Sequence, residues 1–169
     1  MRVRAILLLY NFILPLIFLG ALPGYVLKIV RRGNYGDGFG ERFGFYSIKK
    51  REILLNLDRP LWIHAVSVGE VNIAKKLILS INRIDPSIPI VLSTTTPTGA
   101  SIARTSEASV VIYHPLDFLF VSTRVFDIIS PRALILTEAE VWPNLVNKSV
   151  RRGVEVFLIN ARLSQKSER

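Results

Sequence analysis

The chain has 169 residues, no cysteine and two histidines. Disulfides and thiolate metal ligands are thereby excluded, and imidazoles are too few for a histidine-rich metal site. The formal net charge of +9 favours an anionic partner, whether phospholipid, nucleotide or phosphorylated substrate. Residues 1–60 carry ten Lys/Arg against four Asp/Glu, and residues 61–169 carry twelve against nine. The basic excess therefore sits beside the apolar N-terminus, where a membrane surface is the natural partner. No basic-aromatic interleaving marks a nucleic-acid module.

Ala5 to Leu27 carries no formal charge. At about 1.5 Å per residue this stretch is long enough to cross a hydrocarbon core. Arg2 and Arg4 precede it; Lys28, Arg31 and Arg32 follow. Pro15 and Pro23 are expected to kink or end a helix. Three readings stay open: a membrane-spanning or signal-anchor helix, a helix lying in the interface, and a buried core helix. The basic residues after the stretch put the main domain on the cytoplasmic side. Residues 1–32 are thus expected to be an anchor with its basic flank.

Residues 33–60 read as a basic, glycine-rich connection with a short helix near Gly40–Gly44 and an exposed loop at Asp58-Arg59-Pro60. It lacks the spacing of a dinucleotide fingerprint. Glu41 here is expected by default to pair with Arg42 on the surface.

From Trp62 onward, apolar β-branched runs alternate with helix-like segments. Strands are expected at 61–66, 89–94, 109–113, 133–137 and 154–159. Helices are expected at 69–84, 99–107, 117–128 and 143–152. In the first of these helices Ile73, Leu77, Ile78 and Ile81 form the apolar stripe. The succession predicts an α/β fold with a Rossmann-like parallel sheet covered on both faces.

Four strands end in polar clusters, and open parallel sheets bind ligands at that edge. Ser67, Gly69 and Glu70 open a helix whose N–H groups can receive an anion, though Ser67 and Glu70 also have capping-box spacing. Thr96 and Gly99 lie in a hydroxyl-rich turn that suits phosphate or sugar hydroxyls, or turn chemistry alone. Glu138 and Glu140 would point to one side if the strand continued. Asn144 follows Trp142-Pro143, with Pro143 at a helix start. Asn160 and Arg162 close the set, Arg162 offering a fork to carboxylate or phosphate. His64 reads as a packing residue inside a strand, and Asp117 as the cap of its own helix.

Together GERFG (40–44), HAVSVGE (64–70), TTTPTG (94–99), PLD (115–117), EAEVWPN (138–144) and NARLSQKS (160–167) resemble the N-terminal half of the 3-deoxy-D-manno-octulosonic acid (Kdo) transferases. The resemblance runs from the anchor to the last residue. It implies a GT-B architecture, in which residues 33–169 form the acceptor domain and a C-terminal domain holds the donor CMP-Kdo. It implies inverting transfer of Kdo to the lipid A precursor (lipid IVA) in lipopolysaccharide biosynthesis, with no metal or other cofactor. The general base would be Glu41. Ser67, Gly69, Glu70, Thr96, Gly99, Glu138, Glu140, Asn144, Asn160 and Arg162 would be cleft candidates. The family commonly reads ETELWPN; Ala139 and Val141 stand in two of those positions, while both acids and WPN persist. The site implied is at the cytoplasmic face of the inner membrane, beside anionic lipid. Because the chain stops at Arg169, the donor domain is expected to be missing and the isolated chain to be inactive. The alternatives are another GT-B transferase with a lipid-linked acceptor and a non-catalytic, membrane-attached module that binds the lipid acceptor.

Overall fold

The computed structural model describes residues 2–32, 38–138 and 141–161. Helix α1 (Arg2–Arg32) runs unbroken through Pro15 and Pro23, so neither proline ends it. Among the described residues it is the one helix long and apolar enough to cross a membrane, over Val3–Gly24. It is not a core helix. Val3, Ile6, Leu8, Leu9, Phe12, Leu16, Ile17 and Leu19 are all exposed. Among its described side chains only Leu7, Tyr10, Asn11, Leu14, Pro15, Phe18 and Leu22 are half-buried. Their three- and four-residue spacing makes one stripe, and this stripe faces the domain.

A 3₁₀ turn follows at Gly40–Phe43. Gly44 closes it at φ 75°, with its N–H returned to the Glu41 carbonyl; the left-handed backbone favours glycine there. Next comes α2 (Ile48–Asn56), capped by the Ser47 side chain. The sequence alone reads this segment as part of the glycine-rich connection. Its composition shows no apolar stripe, and Leu54 is its single buried residue. At the end of the segment Asp58 and Arg59 are exposed as expected, but Pro60 is buried.

The remainder alternates: β1 (Leu61–His64), α3 (Val68–Ile84), β2 (Ile90–Thr94), α4 (Pro97–Ala103), β3 (Val110–Tyr113), α5 (Leu119–Ile129), β4 (Ala133–Thr137), α6 (Pro143–Arg151) and β5 (Glu155–Ile159). All pairings are parallel, in the order β3-β2-β1-β4-β5. This is the doubly wound arrangement with its switch point between β1 and β4.

Successive strand residues serve opposite faces. Trp62, Leu134 and Leu136 pack with Val121, Val125, Phe126 and Leu145 of α5 and α6. Ile63 and Ile135 pack with Val71, Ala74 and Ile78 of α3 and Ala103 of α4. The buried line of α3 is therefore Val71-Ala74-Ile78, with Leu77 and Ile81 at its border, a slight rotation from the expected stripe. The strand β5 is the exception to two-sided cover: Phe157 and Leu158 stay about half exposed.

Candidate functional site at the carboxyl edge of the sheet

The glutamate of the 3₁₀ turn reaches the sheet. Glu41 Oε2 accepts the Tyr113 N–H at 3.0 Å, at the carboxyl end of β3. Its Oε1 takes Lys50 Nζ at 2.5 Å, and the side chain is 16% exposed. Each oxygen accepts one bond and retains a further lone pair. The expected Glu41–Arg42 pair is not what forms. Arg42 Nη2 donates to the Thr95 carbonyl at 2.6 Å, and the guanidinium lies over the Tyr113 ring at 4.8 Å. Lys50 becomes the partner because α2 brings it back to the turn.

Glu41 thus joins the row of strand ends. With neighbouring strands about 4.8 Å apart, it stands roughly two spacings, or 10 Å, from the loop after β1. Glu138 after β4 is about 14 Å away, and Asn160 after β5 about 19 Å. The edge can hold one extended ligand, but Glu41 and Glu138 cannot act on the same atom.

At the switch point Glu70 is committed to the fold. It is 5% exposed. Its carboxylate accepts the N–H groups of Val66 and Ser67 and the Thr137 hydroxyl, at 2.8 to 3.1 Å. Burial pushes this carboxyl up; the hydrogen bonds outweigh burial and hold it below its ordinary value. Ser67 completes the capping box by accepting the Glu70 N–H. Ser67 and Gly69 remain exposed. A Cβ on Gly69 would meet only Ser67 Oγ at 3.8 Å, so no packing demand explains that glycine. Gly99 is the opposite case: its Cβ would lie 2.6 Å from Thr94 Oγ1 and 2.7 Å from Thr96 Oγ1. Thr96 caps α4 by accepting the Gly99 N–H. Both residues have complete structural duties.

Glu138 sits at φ 59°, so β4 ends at Thr137. The Glu138 carboxylate accepts from Asn160 Nδ2 at 3.4 Å, linking the ends of β4 and β5. Asn160 is exposed, also in the left-handed region. Glu140 and Arg162 lie outside the described residues.

Asn144 is not on the open edge. It is 1% exposed, and its amide exchanges hydrogen bonds with the Asn11 amide of α1 at 2.8 and 2.9 Å. It also donates to the Asp117 carbonyl. The Asp117 carboxylate collects the N–H groups of Asn144 and Leu145 and the hydroxyls of Ser122 and Tyr10. It therefore caps α6, not the helix that follows it in sequence. Burial pushes its carboxyl above the ordinary 3.8, against the pull of these donors. The one sequence signal for this network was the pair Tyr10-Asn11 inside an apolar run.

Behind the edge, His64, which the sequence reads as a packing residue inside a strand, proves to be one half of a histidine stack. The rings of His64 and His114 stand 3.6 Å apart. Ser93 Oγ lies 3.0 Å from His64 Nδ1 and 3.3 Å from His114 Nδ1, and it accepts Trp62 Nε1 at 2.8 Å. Burial drives His64 down to about 4; burial and then mutual repulsion drive His114 well below its ordinary value too.

Among the described residues no three His, Asp or Glu side chains gather as a metal site would require. A family model described as 3-deoxy-D-manno-octulosonic-acid transferase (kdotransferase) matches residues 37–169.

The chain belongs to this family.

Its α/β parallel sheet is the GT-B-like N-terminal glycosyltransferase fold. A Haemophilus influenzae protein named 3-deoxy-D-manno-octulosonic acid transferase is 33% identical over 160 residues, covering 91% of this chain and 34% of the relative. A Chlamydia muridarum protein of the same name is 29% identical over 163 residues, covering 94% and 37%. A Fusobacterium nucleatum bifunctional glycosyltransferase/methyltransferase is 32% identical over 114 residues, covering 65% and 18%. The chain spans about a third of the length of the Haemophilus and Chlamydia relatives.

Proposed function

We propose that this Kdo-transferase-family chain is the acceptor side of an inverting transferase that moves Kdo from CMP-Kdo to the lipid A precursor. Residues 33–169 form the acceptor domain in this reading, and a second domain holds CMP-Kdo. Glu41 takes the proton of a sugar hydroxyl. That oxygen attacks the anomeric carbon of Kdo, and CMP leaves with the bonding pair. The observation that carries the reading is the position of the Glu41 carboxylate. It is tied by Lys50 and the Tyr113 N–H, yet partly exposed, and it lies where the α1-docked turn meets the carboxyl edge of the sheet. General base catalysis contributes about 10² to 10⁴ in rate. Glu41→Gln, in the chain joined to a donor domain, is expected to lose that factor while retaining acceptor binding. A rate unchanged by the substitution would defeat the assignment.

The second part of the reading concerns the membrane. The domain acts at the cytoplasmic face of the inner membrane, with anionic lipid drawn by the basic residues around α1. The docked stripe from Leu7 to Leu22 covers about 24 Å of helix. A helix held alongside its domain over that length favours an in-plane anchor over one that crosses the bilayer. Single cysteines can be introduced without background, since the chain has none. A cysteine at Arg4, at the N-terminal end of the apolar span Val3–Gly24, in right-side-out vesicles should resist an impermeant external thiol reagent and react after the membrane is opened. Labelling from outside would favour a crossing helix.

A further inference from the structure

We propose that the cleft between α1 and the Gly40–Phe43 turn receives one fatty-acyl chain of the acceptor glycolipid, entering sideways from the bilayer. This inference rests on the reading of Glu41 and a lipid acceptor given above. The cleft encloses about 200 Å³ and is lined by Phe18, Ala21 and Leu22 of α1, by Phe39 and Arg42 of the turn, and by Leu116. Whole small-molecule ligands occupy roughly 300 to 1,000 Å³. The cleft is therefore too small for a disaccharide head group, and its apolar walls would strand sugar hydroxyls without partners. A slender hydrocarbon fits both size and lining.

Three observations fix the occupant's direction. First, one wall is α1, whose other faces are exposed apolar side chains, so a chain entering along α1 stays in contact with hydrocarbon. Second, the floor is held shut. Phe18 meets Phe43 edge-on at 6.1 Å and Phe118 at 5.4 Å, and the Leu116 N–H donates to the Arg42 carbonyl at 2.7 Å. Third, Arg42 supplies the polar lining. Its Nη2 is committed to Thr95, whereas its Nε is buried and has no partner among the described residues. Arg42 is next in sequence to Glu41, so an acyl chain seated against the Arg42 side chain brings the sugar bearing it toward that carboxylate. Arg42 would be a positioning residue, and the bonds from Tyr10 to Asp117 and between Asn11 and Asn144 would set the rotation of α1 that forms the wall.

The test is a bimane fluorophore on a single cysteine at Leu116, in the full chain held in phosphatidylcholine nanodiscs. The titrant is a tetraacyl glucosamine disaccharide phosphate with brominated chains, and a second labelled site at Asn82 reports non-specific quenching. Saturable quenching at 116, absent at 82 and abolished by Ala21→Trp, is the expected result. A Leu22→Cys label, read in the same way, covers the case in which labelling at 116 disturbs the fold. In the chain joined to a donor domain, Ala21→Trp should raise KM for the acylated acceptor about tenfold, with kcat retained. Quenching at 116 no greater than at 82, or unaffected by Ala21→Trp, would overturn the cleft. If transfer still depended on Glu41 in that case, the function proposed above would stand without it. Quenching as expected, with no Glu41-dependent transfer, would leave an acyl site and remove the catalytic reading.

Discussion

The stacked histidines make the stability of the domain fall with acidification in a calculable way. His64 is wholly buried and held near 4, against an ordinary 6.5. Its folded value is depressed by burial, so the unfolded chain binds the proton first. The stabilisation from a neutral His64 is complete above 6.5 and is lost as pH falls through 6.5 toward 4. Between pH 7.5 and 5.0 the linkage amounts to about 2 kcal/mol. His114, lowered for the same reason and by its neighbour, adds a further loss of the same sign. Asp117, whose carboxyl is raised, works in the opposite direction as its proton binds. Glu70 takes effect only below its ordinary 4.5, outside this window. The assay is urea unfolding of the full chain in non-ionic detergent at the two pH values. Trp62 and Trp142, both against the stack, serve as fluorescent reporters. Replacing both histidines with glutamine should flatten the difference. The reasoning fails if the wild-type chain is equally stable at both pH values, or if the loss persists in the double variant.

Other substitutions probe separate parts of the fold. Asp117→Ala removes the acceptor for two α6 N–H groups and two hydroxyls, and should cost about 3 to 5 kcal/mol in the same urea assay. Asp117→Asn, which keeps one acceptor oxygen, should cost less. Gly99→Ala places a methyl against two threonine hydroxyl oxygens and should cost about 1 to 3 kcal/mol, whereas Gly69→Ala should be nearly neutral for stability. Glu70→Gln should reduce the loss of stability below pH 4.5, because the depressed carboxyl no longer has a proton to take up there.

The legible parts of this molecule were those where one local signal sufficed. Apolar β-branched runs and their turn residues specify all five strands within about two residues at each end. The Ser67–Glu70 spacing forms as a real capping box. What escaped depends on distant contacts. The helix α2 has no periodic apolar face, and its form comes from Leu54 entering the core and Ser47 capping it. Lys50 could not be matched to Glu41 without that helix. Asp117 caps α6 because the loop after β3 lies beside the start of α6, a neighbour relation that local spacing does not encode. Asn144 shows the limit most clearly: a motif residue of EAEVWPN proves to be buried against α1, while Glu138 of the same motif stands at the end of β4.

These placements divide the described candidate residues by burial. Glu70, Gly99 and Asn144 are buried and held by the fold, and Thr96 is half-buried with one cap bond. Ser67, Gly69, Glu138 and Asn160 stand on the accessible edge, and Glu41 retains lone pairs in the turn that packs against α1. Tyr10 and Asn11 dock α1 onto Asp117 and Asn144, and Phe18 of the same helix packs against Phe43 of the turn bearing Glu41, so membrane attachment and acceptor placement form one structural unit in the proposed function.

The most direct measurement is Kdo transfer from CMP-Kdo to the lipid A precursor by this chain joined to a family donor domain, comparing Glu41 with Glu41→Gln. The proposed function predicts a rate lowered by about 10² to 10⁴, with acceptor affinity unchanged. Transfer by the Glu41→Gln protein at the unsubstituted rate would contradict it.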